Sequence, residues 1–321
     1  MKYDVCVIMP CYNAAGIVER AFRSVLEQRN VSVQLIAVND GSSDATGQVL
    51  RKLANESPAN IDVIILEHER NRGLAGARLT AFEAADARYV TQCDADDLLL
   101  PGALSTMYKA GIEADADVVV GVMKVDDGRG HFTIGKADTP FILNEVTINT
   151  FNFSNHTKLF RLATLRAYNI RPVESIDRWD DLVLLAKLMA RDPKVVMVDD
   201  VVYEYLYDHS QPSLSRSQRD QLLRDHIAGA IDVEAYFKAA GVAERFAPFL
   251  NYLKFCAKVK YLRGKGKDVA RWKSTFPEAN RHIIKYKRIP LFLRLGFIGV
   301  NALPTALSQA IFNVTDRLFY H

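Results

Sequence analysis

The sequence predicts an α/β protein built on a parallel, doubly wound sheet. Three observations lead there. Over the first 125 residues, short apolar runs alternate with helical patterns, the order that sets strands side by side and packs crossover helices on both faces. Each apolar run stops in a polar cluster, as strands do where they leave a sheet. The 321 residues, 49% hydrophobic and 25% charged, supply the core of an ordinary globular protein.

Residues 5–9 read as a first strand, closed by Pro10, and 16–28 as a helix. Residues 33–38 are apolar again and end in Asn39-Asp40-Gly41; a helix over 45–54 and a strand over 62–66 follow. An Ala-rich helix is expected over 74–87, a strand over 89–93, a helix over 102–111 and a strand over 118–122. Residues 124–155 are richer in Gly, Asp and Asn and read as a loop or β excursion. Residues 158–168 and 179–191 carry helical patterns, 195–206 one or two strands, and everything past 220 is helical. The apolar run at the amino terminus is too short for a signal peptide. Cys6, Cys11, Cys93 and Cys256 show no CxxC spacing, which points to reduced thiols in a cytoplasmic protein without a disulfide framework or zinc site.

The net charge of +3 hides a division: from 251 onward there are 14 Lys/Arg against 3 Asp/Glu, so this segment carries +11 and the rest −8. A basic tail on an acidic body suits an anionic surface, nucleic acid or lipid on charge alone.

In sheets of this kind ligands bind beyond the carboxyl ends of the strands, and the polar clusters lie there. Asp94-Ala95-Asp96-Asp97 packs three carboxylates after a strand. Such crowding is repulsive unless a cation compensates, and Mg²⁺ or Mn²⁺ takes carboxylate oxygens together with substrate phosphates. The bland reading is a turn in which Asp97 caps the next helix. Asp40 closes the second strand and could accept the N–H of a pyrimidine base, whereas Ser43 and Asp44 are explained as turn and cap residues. Tyr12, after Pro10, is placed to stack on a base. Asn71-Arg72-Gly73-Leu74-Ala75-Gly76-Ala77-Arg78 joins a helix start, which favours anions, to two guanidinium groups suited to a diphosphate. Trp179-Asp180-Asp181 opens a helix; one first-turn aspartate is explained by the helix dipole, and a second leaves room for a general base. His209, Ser213 and Ser215 follow the last predicted strand.

Together these stretches resemble the inverting GT-A glycosyltransferases of family 2, of the bacterial polysaccharide type. The resemblance runs through Val-Ile-Met-Pro-Cys-Tyr-Asn (7–13), Val-Asn-Asp-Gly-Ser-Ser-Asp (38–44), the 71–78 motif and Asp94-Ala95-Asp96-Asp97. It continues through Thr-Lys-Leu-Phe-Arg (157–161), Trp-Asp-Asp-Leu (179–182) and His-Ser-Gln-Pro-Ser-Leu-Ser (209–215). It implies a Rossmann-like mixed sheet flanked by helices, with a catalytic domain over 1–220: a nucleotide-sugar half to about 125 and an acceptor half over 126–220. A helical, basic region over 221–321 would follow.

By the same resemblance, Pro10, Tyr12, Asp40, Asn71, Arg72, Arg78, Asp94, Ala95 and Asp96 bind a nucleotide-sugar, usually UDP-linked. Asp96 would ligate Mn²⁺ or Mg²⁺, and Asp181 would be the catalytic base. Asp97, Trp179, Asp180 and His209 stand close to these in the motifs. Two departures are visible: Leu79-Thr80 follows Ala77-Arg78 where the family usually has Asn, and Asp180 stands where it more often has Glu. The implied reaction transfers a sugar to a hydroxyl of a glycan or lipid-linked acceptor in cell-surface polysaccharide synthesis, with no nucleic-acid partner. Two other readings are a nucleotidyltransferase, which would want a basic Gly-rich loop near its start that Pro10-Cys11-Tyr12-Asn13 does not supply, and a non-catalytic nucleotide-sugar-binding membrane protein.

In the tail, 252–263 reads as a basic, aromatic helix, and 281–288 leads into an apolar stretch broken by Pro290, Arg294, Asn301 and Pro304. A spanning helix needs ~20 apolar residues. An amphipathic element at the inner face of the plasma membrane is therefore expected, the alternative being a helical cap on the catalytic domain.

Overall fold

The computed structural model describes residues 1–126, 130–134, 143, 154–206, 219–262, 267–287 and 289–310. They fall into two compact units, one holding 1–206 apart from Leu143, the other Leu143 and the residues from 219 on.

The first unit opens with β1 (Tyr3–Cys11), α1 (Val18–Leu26), β2 (Val33–Asn39), α2 (Thr46–Ala54), β3 (Ile61–Glu67), α3 (Leu74–Ala84) and β4 (Ala87–Gln92). β1 pairs in parallel with β2 on one side and β4 on the other, and β2 pairs in parallel with β3. Val5, Val7 and Met9 join Phe22 and Val25 of α1 in one core cluster. Cys6 and Ile8, on the opposite face, are equally buried. A parallel strand covered on both faces must be apolar throughout rather than alternating, hence the unbroken runs in the sequence. α3 stops at Ala84, short of the expected 87, because Ala87 already pairs with Tyr3 in the β1–β4 ladder.

The chain continues through β5 (Leu98–Leu99), α4 (Ala103–Glu113), β6 (Val118–Asp126), β7 (His131–Ile134), β8 (Lys158–Arg161), α5 (Leu162–Ala167), α6 (Asp180–Met189) and β9 (Val195–Leu206). The strand order is β3-β2-β1-β4-β8-β6-β9-β5, with β7 paired to β6 as a hairpin. The sheet is therefore mixed, and its reversal comes from β8, antiparallel to both β4 and β6. This corrects the helix expected over 158–168, which begins only at Leu162. Four residues of Lys-Leu-Phe-Arg carry no decisive period, and two flanking strands offer them ladder hydrogen bonds. β9 is one strand, parallel to β6 with register shifts between Val120 and Met123.

Among its described residues the second unit has helices and no strand: α7 (Arg219–Ala239), α8 (Ala247–Lys258), α9 (Val269–Ser274), α10 (Pro277–Asn280) and α11 (Leu291–Ala302). Its core gathers Tyr252, Phe255, Trp272 and Tyr286. Two cations of the expected basic helix turn inward. Lys254 Nζ lies 2.8 Å from Glu234 and 2.6 Å from Glu278. Lys258 Nζ donates to the Thr275 carbonyl at 2.7 Å and sits 4.7 Å from the centre of the Trp272 ring; burial pushes its amine down to about 7. These charges serve the unit's own core.

Candidate active site

β1, β2 and β4 end side by side, and the polar clusters begin at their ends. Tyr12 follows β1 and is 52% exposed, its ring free for a flat ligand. Pro10 is within β1 itself, paired with Val38. Asp40 follows β2 and is buried, and its Oδ1 accepts from His68 Nδ1 at 2.6 Å and from the Arg72 backbone N–H at 2.8 Å. His68 Nε2 lies 2.9 Å from Thr80 Oγ1, so the imidazole is held at both nitrogens. Among the described residues Asp40 Oδ2 has no hydrogen-bond partner, which leaves one acceptor for a base. Asp44 accepts from the backbone N–H groups of Thr46 and Ala15 at 3.0 and 3.1 Å, and Ser43 donates its N–H to Asn13 Oδ1 at 2.9 Å.

The start of α3 differs from the expected anion cradle. Asp177, 102 residues away, places Oδ1 2.9 Å from the Ala75 N–H, so the helix N-terminus is already capped by a carboxylate of the same chain. Gly73 makes room for it: φ is +84°, and a Cβ there would lie 2.7 Å from the Asp177 oxygens. Asn71 Oδ1 accepts the Gly73 N–H at 2.9 Å. Arg72 pairs on the surface with Glu174 at 2.8 Å.

Arg78 lies at the centre. It is 2% exposed, and its Nη2 bonds Asp94 at 2.9 Å. Its Nη1 bonds Asp180 and approaches Asp181 Oδ1 at 3.4 Å. Three carboxylates surround the guanidinium that the sequence offered to a diphosphate. His156, on the short turn Asn155–Thr157, sets Nε2 3.0 Å from Asp94 and Nδ1 2.7 Å from Ser154 Oγ. Burial opposes charge on this imidazole, but Asp94 outweighs it and lifts the ring to about 9. Burial likewise pushes Asp94 up, and His156 and Arg78 together hold it well below the usual carboxylate range. Asp180, on α6, is raised to about 7 by burial, with the charge of Asp181 adding to it. One guanidinium shared among three carboxylates does not offset the desolvation of all of them. Asp181 also accepts the Asn155 backbone N–H at 3.3 Å. Trp179 takes a left-handed φ of +72° just before α6, turning the chain into the helix.

The remaining aspartates divide. Asp97 is buried; Oδ2 accepts from the Tyr203 hydroxyl at 2.8 Å and Oδ1 from the Leu206 N–H at 3.1 Å. Burial first, then Asp94 and Asp96, raise it to about 7. It ties the motif to β9. Ala95 is buried and contributes only backbone. Asp96 lies at the surface and, among the described residues, makes no side-chain hydrogen bond or ion pair; partial desolvation of its carboxyl and the charge of Asp94 raise it, while His156 pulls it down. A hard divalent cation fits that carboxylate, since among the described residues it makes no ion pair of its own. Among the described residues no cluster of three or more ligating side chains exists, so substrate oxygens and water would have to complete the shell.

The pattern of Glycosyl transferase family 2 matches residues 6–175, which holds both the strand-end clusters and the turn of His156. The chain belongs to this family. It is a glycosyltransferase, and the nucleotidyltransferase reading gives way. The succinoglycan biosynthesis protein ExoO of Rhizobium meliloti is 28% identical over 247 residues, 73% of this chain and 68% of ExoO. Two solved structures share the fold. TarS 1-349 of S. aureus in complex with UDP-GlcNAc superposes with a TM-score of 0.69 at 19% identity, covering 93% of this chain and 90% of that one. The mannosyltransferase PcManGT of Pyrobaculum calidifontis, in complex with GDP-Man and Mn²⁺, superposes with a TM-score of 0.52 at 18% identity, covering 99% and 88%.

The site of this glycosyltransferase thus brings Asp94, Asp180 and Asp181 onto Arg78, with Tyr12, Asp40 and Asp96 at neighbouring strand ends. His209 lies outside the described residues. His68, Asn155, His156, Asp177 and Tyr203 were not singled out by sequence. Their partners are distant in the chain, and the one local signal was a histidine just ahead of the Thr-Lys-Leu-Phe-Arg stretch.

Proposed function

We propose that the enzyme transfers a sugar from a nucleotide-diphosphate sugar, UDP-linked, to a hydroxyl of a glycan or lipid-linked acceptor, inverting the anomeric centre, in cell-surface polysaccharide synthesis. One observation carries the reading: Asp94, after a parallel strand of the nucleotide-sugar half, and Asp181, on a helix of the acceptor half, are held by the same buried guanidinium. The polysaccharide setting is supported by the likeness to ExoO, and the UDP-linked donor by the strand-end arrangement of Tyr12 and Asp40.

Tyr12 stacks on the base and Asp40 Oδ2 accepts its N–H. Asp94 accepts from a ribose hydroxyl. Asp96 is the residue that would hold Mn²⁺ or Mg²⁺, and such an ion would supply neutralising charge for the diphosphate. Arg72, exposed, paired with Glu174 and bonded to Thr80 Oγ1 at 3.2 Å, can exchange Glu174 for a phosphate oxygen. Asp181 accepts the proton of the acceptor hydroxyl as its oxygen bonds to the anomeric carbon and the bond to the diphosphate breaks. A single displacement from the opposite face inverts the centre. Arg78 and the Asn155 N–H hold the Asp181 carboxylate in place and aim it.

The test is Asp181→Asn. Transfer should fall by about 10²–10⁴, the usual worth of a general base, while UDP-sugar binding by calorimetry stays within a few-fold of the parent. Retained transfer would remove Asp181 from the role, and preference for GDP-sugars across a donor panel would remove the UDP assignment.

A further inference from the structure

The second unit carries a surface that the transfer reaction does not use. On α11 only Val300 is buried, and Phe297 packs beside the unit's core. Leu291, Phe292, Leu293, Leu295 and Ile298 are exposed by 55, 63, 43, 55 and 36%. Of the thirteen large hydrophobic residues exposed among the described positions, seven lie between Ile284 and Leu307. A helix of a water-soluble surface normally shows one apolar stripe turned to the core, and apolar area gathered in one exposed place marks a docking site.

The charge beside it identifies the occupant. Arg281, Lys285 and Lys287 are exposed in the turn before α11, and the sequence from 279 to 315 contains no Asp or Glu. Arg294 Nη1 donates to the Ile284 carbonyl at 2.6 Å, which fastens that basic turn to the helix. Cations and apolar side chains therefore belong to one surface element. A second copy would fit poorly, since a two-fold interface sets a patch against itself and would bring the same cations together. α11 has twelve residues, about 18 Å at 1.5 Å per residue, against a hydrocarbon core of about 30 Å. No described helix is long and apolar enough to cross a membrane.

We propose that α11 lies flat in the headgroup region of an anionic bilayer, with Leu291, Phe292 and Leu295 seated among acyl chains and Arg281, Lys285 and Lys287 on lipid phosphates. Apolar burial supplies the hold, and the cations select the lipid. The inference does not depend on the sugar, the donor or the catalytic base.

Flotation of the full chain with vesicles tests it, comparing phosphatidylglycerol–phosphatidylcholine mixtures with phosphatidylcholine alone. The chain should float with the anionic vesicles and bind the neutral ones at least tenfold more weakly. Phe292→Ser with Leu295→Ser should abolish flotation. Lys285→Glu with Lys287→Glu should remove the anionic preference, about fivefold or more per charge. All four side chains are exposed, so melting curves should match the parent and exclude misfolding. Failure of the parent to float, or floating of the double-serine variant like the parent, overturns the proposal. So does sedimentation showing a dimer that the double-serine variant converts to monomer without any vesicle binding.

Discussion

Arg78 Nη2 and Asp94 Oδ1 meet at 2.9 Å inside the first unit, with the guanidinium 2% exposed. The same guanidinium bonds Asp180, 102 residues further along, and reaches Asp181. A residue of α3 thus ties the chain just after β4 to the first turn of α6. Removing one partner of a buried charged group leaves the others uncompensated, at about 3–5 kcal/mol. Arg78→Ala should lower the melting temperature by about 10 °C, from 2–4 °C per kcal/mol in a domain of this size. Arg78→Lys should recover only part of it, since an ammonium lacks the planar fork. A shift of a degree or less in Arg78→Ala would show that the carboxylates do not need the guanidinium.

His156 should add a pH-dependent component to stability. Its folded-state pKa is raised from an ordinary 6.5 to about 9, with Asp94 overcoming burial. A raised pKa means that the contribution is fully present below about 6.5 and is lost as pH rises through about 9. The difference in melting temperature between the parent and His156→Gln should therefore shrink between pH 7 and pH 10. A constant difference across that range would place no proton on the imidazole.

Asp96 should behave unlike its neighbours. It lies at the surface, among the described residues makes no side-chain hydrogen bond or ion pair, and is raised by partial desolvation and by the charge of Asp94. Asp96→Asn should leave the melting temperature unchanged or slightly raised. Mn²⁺ should tighten UDP-sugar binding to the parent and not to the variant, and chelation should reduce the parent to the level of the variant. Equal tightening in both would move the metal elsewhere.

Gly73 and Asp177 should prove coupled. A side chain at Gly73 meets the Asp177 carboxylate at 2.7 Å and a φ of +84°, while Asp177 caps the Ala75 N–H. Asp177→Ala should cost about 1 kcal/mol, the usual worth of a cap, and Gly73→Ala about 1–3 kcal/mol from backbone strain. The double variant should cost less than the sum of the two, because the clash disappears with the carboxylate. Additive costs in denaturant titrations would separate the two effects.

By itself the sequence determined the alternation of β1 to β4 with α1 to α3 and the polar ends of those strands. Buried parallel strands need unbroken apolar runs and crossover helices need a 3.6-residue period, and both are local patterns. Its motifs also marked Asp40, Asp94, Asp96 and Asp181 as residues of interest. Tertiary structure alone decided what each carboxylate faces. Arg78 became the partner of three aspartates, Asp177 took the N-terminus of α3, and Asp97 was fastened to Tyr203. Lys158–Arg161 became a strand because β4 and β6 offered ladders on both sides. Each of these outcomes depends on groups brought together by chain closure, and a pattern confined to a few neighbouring residues carries no record of them.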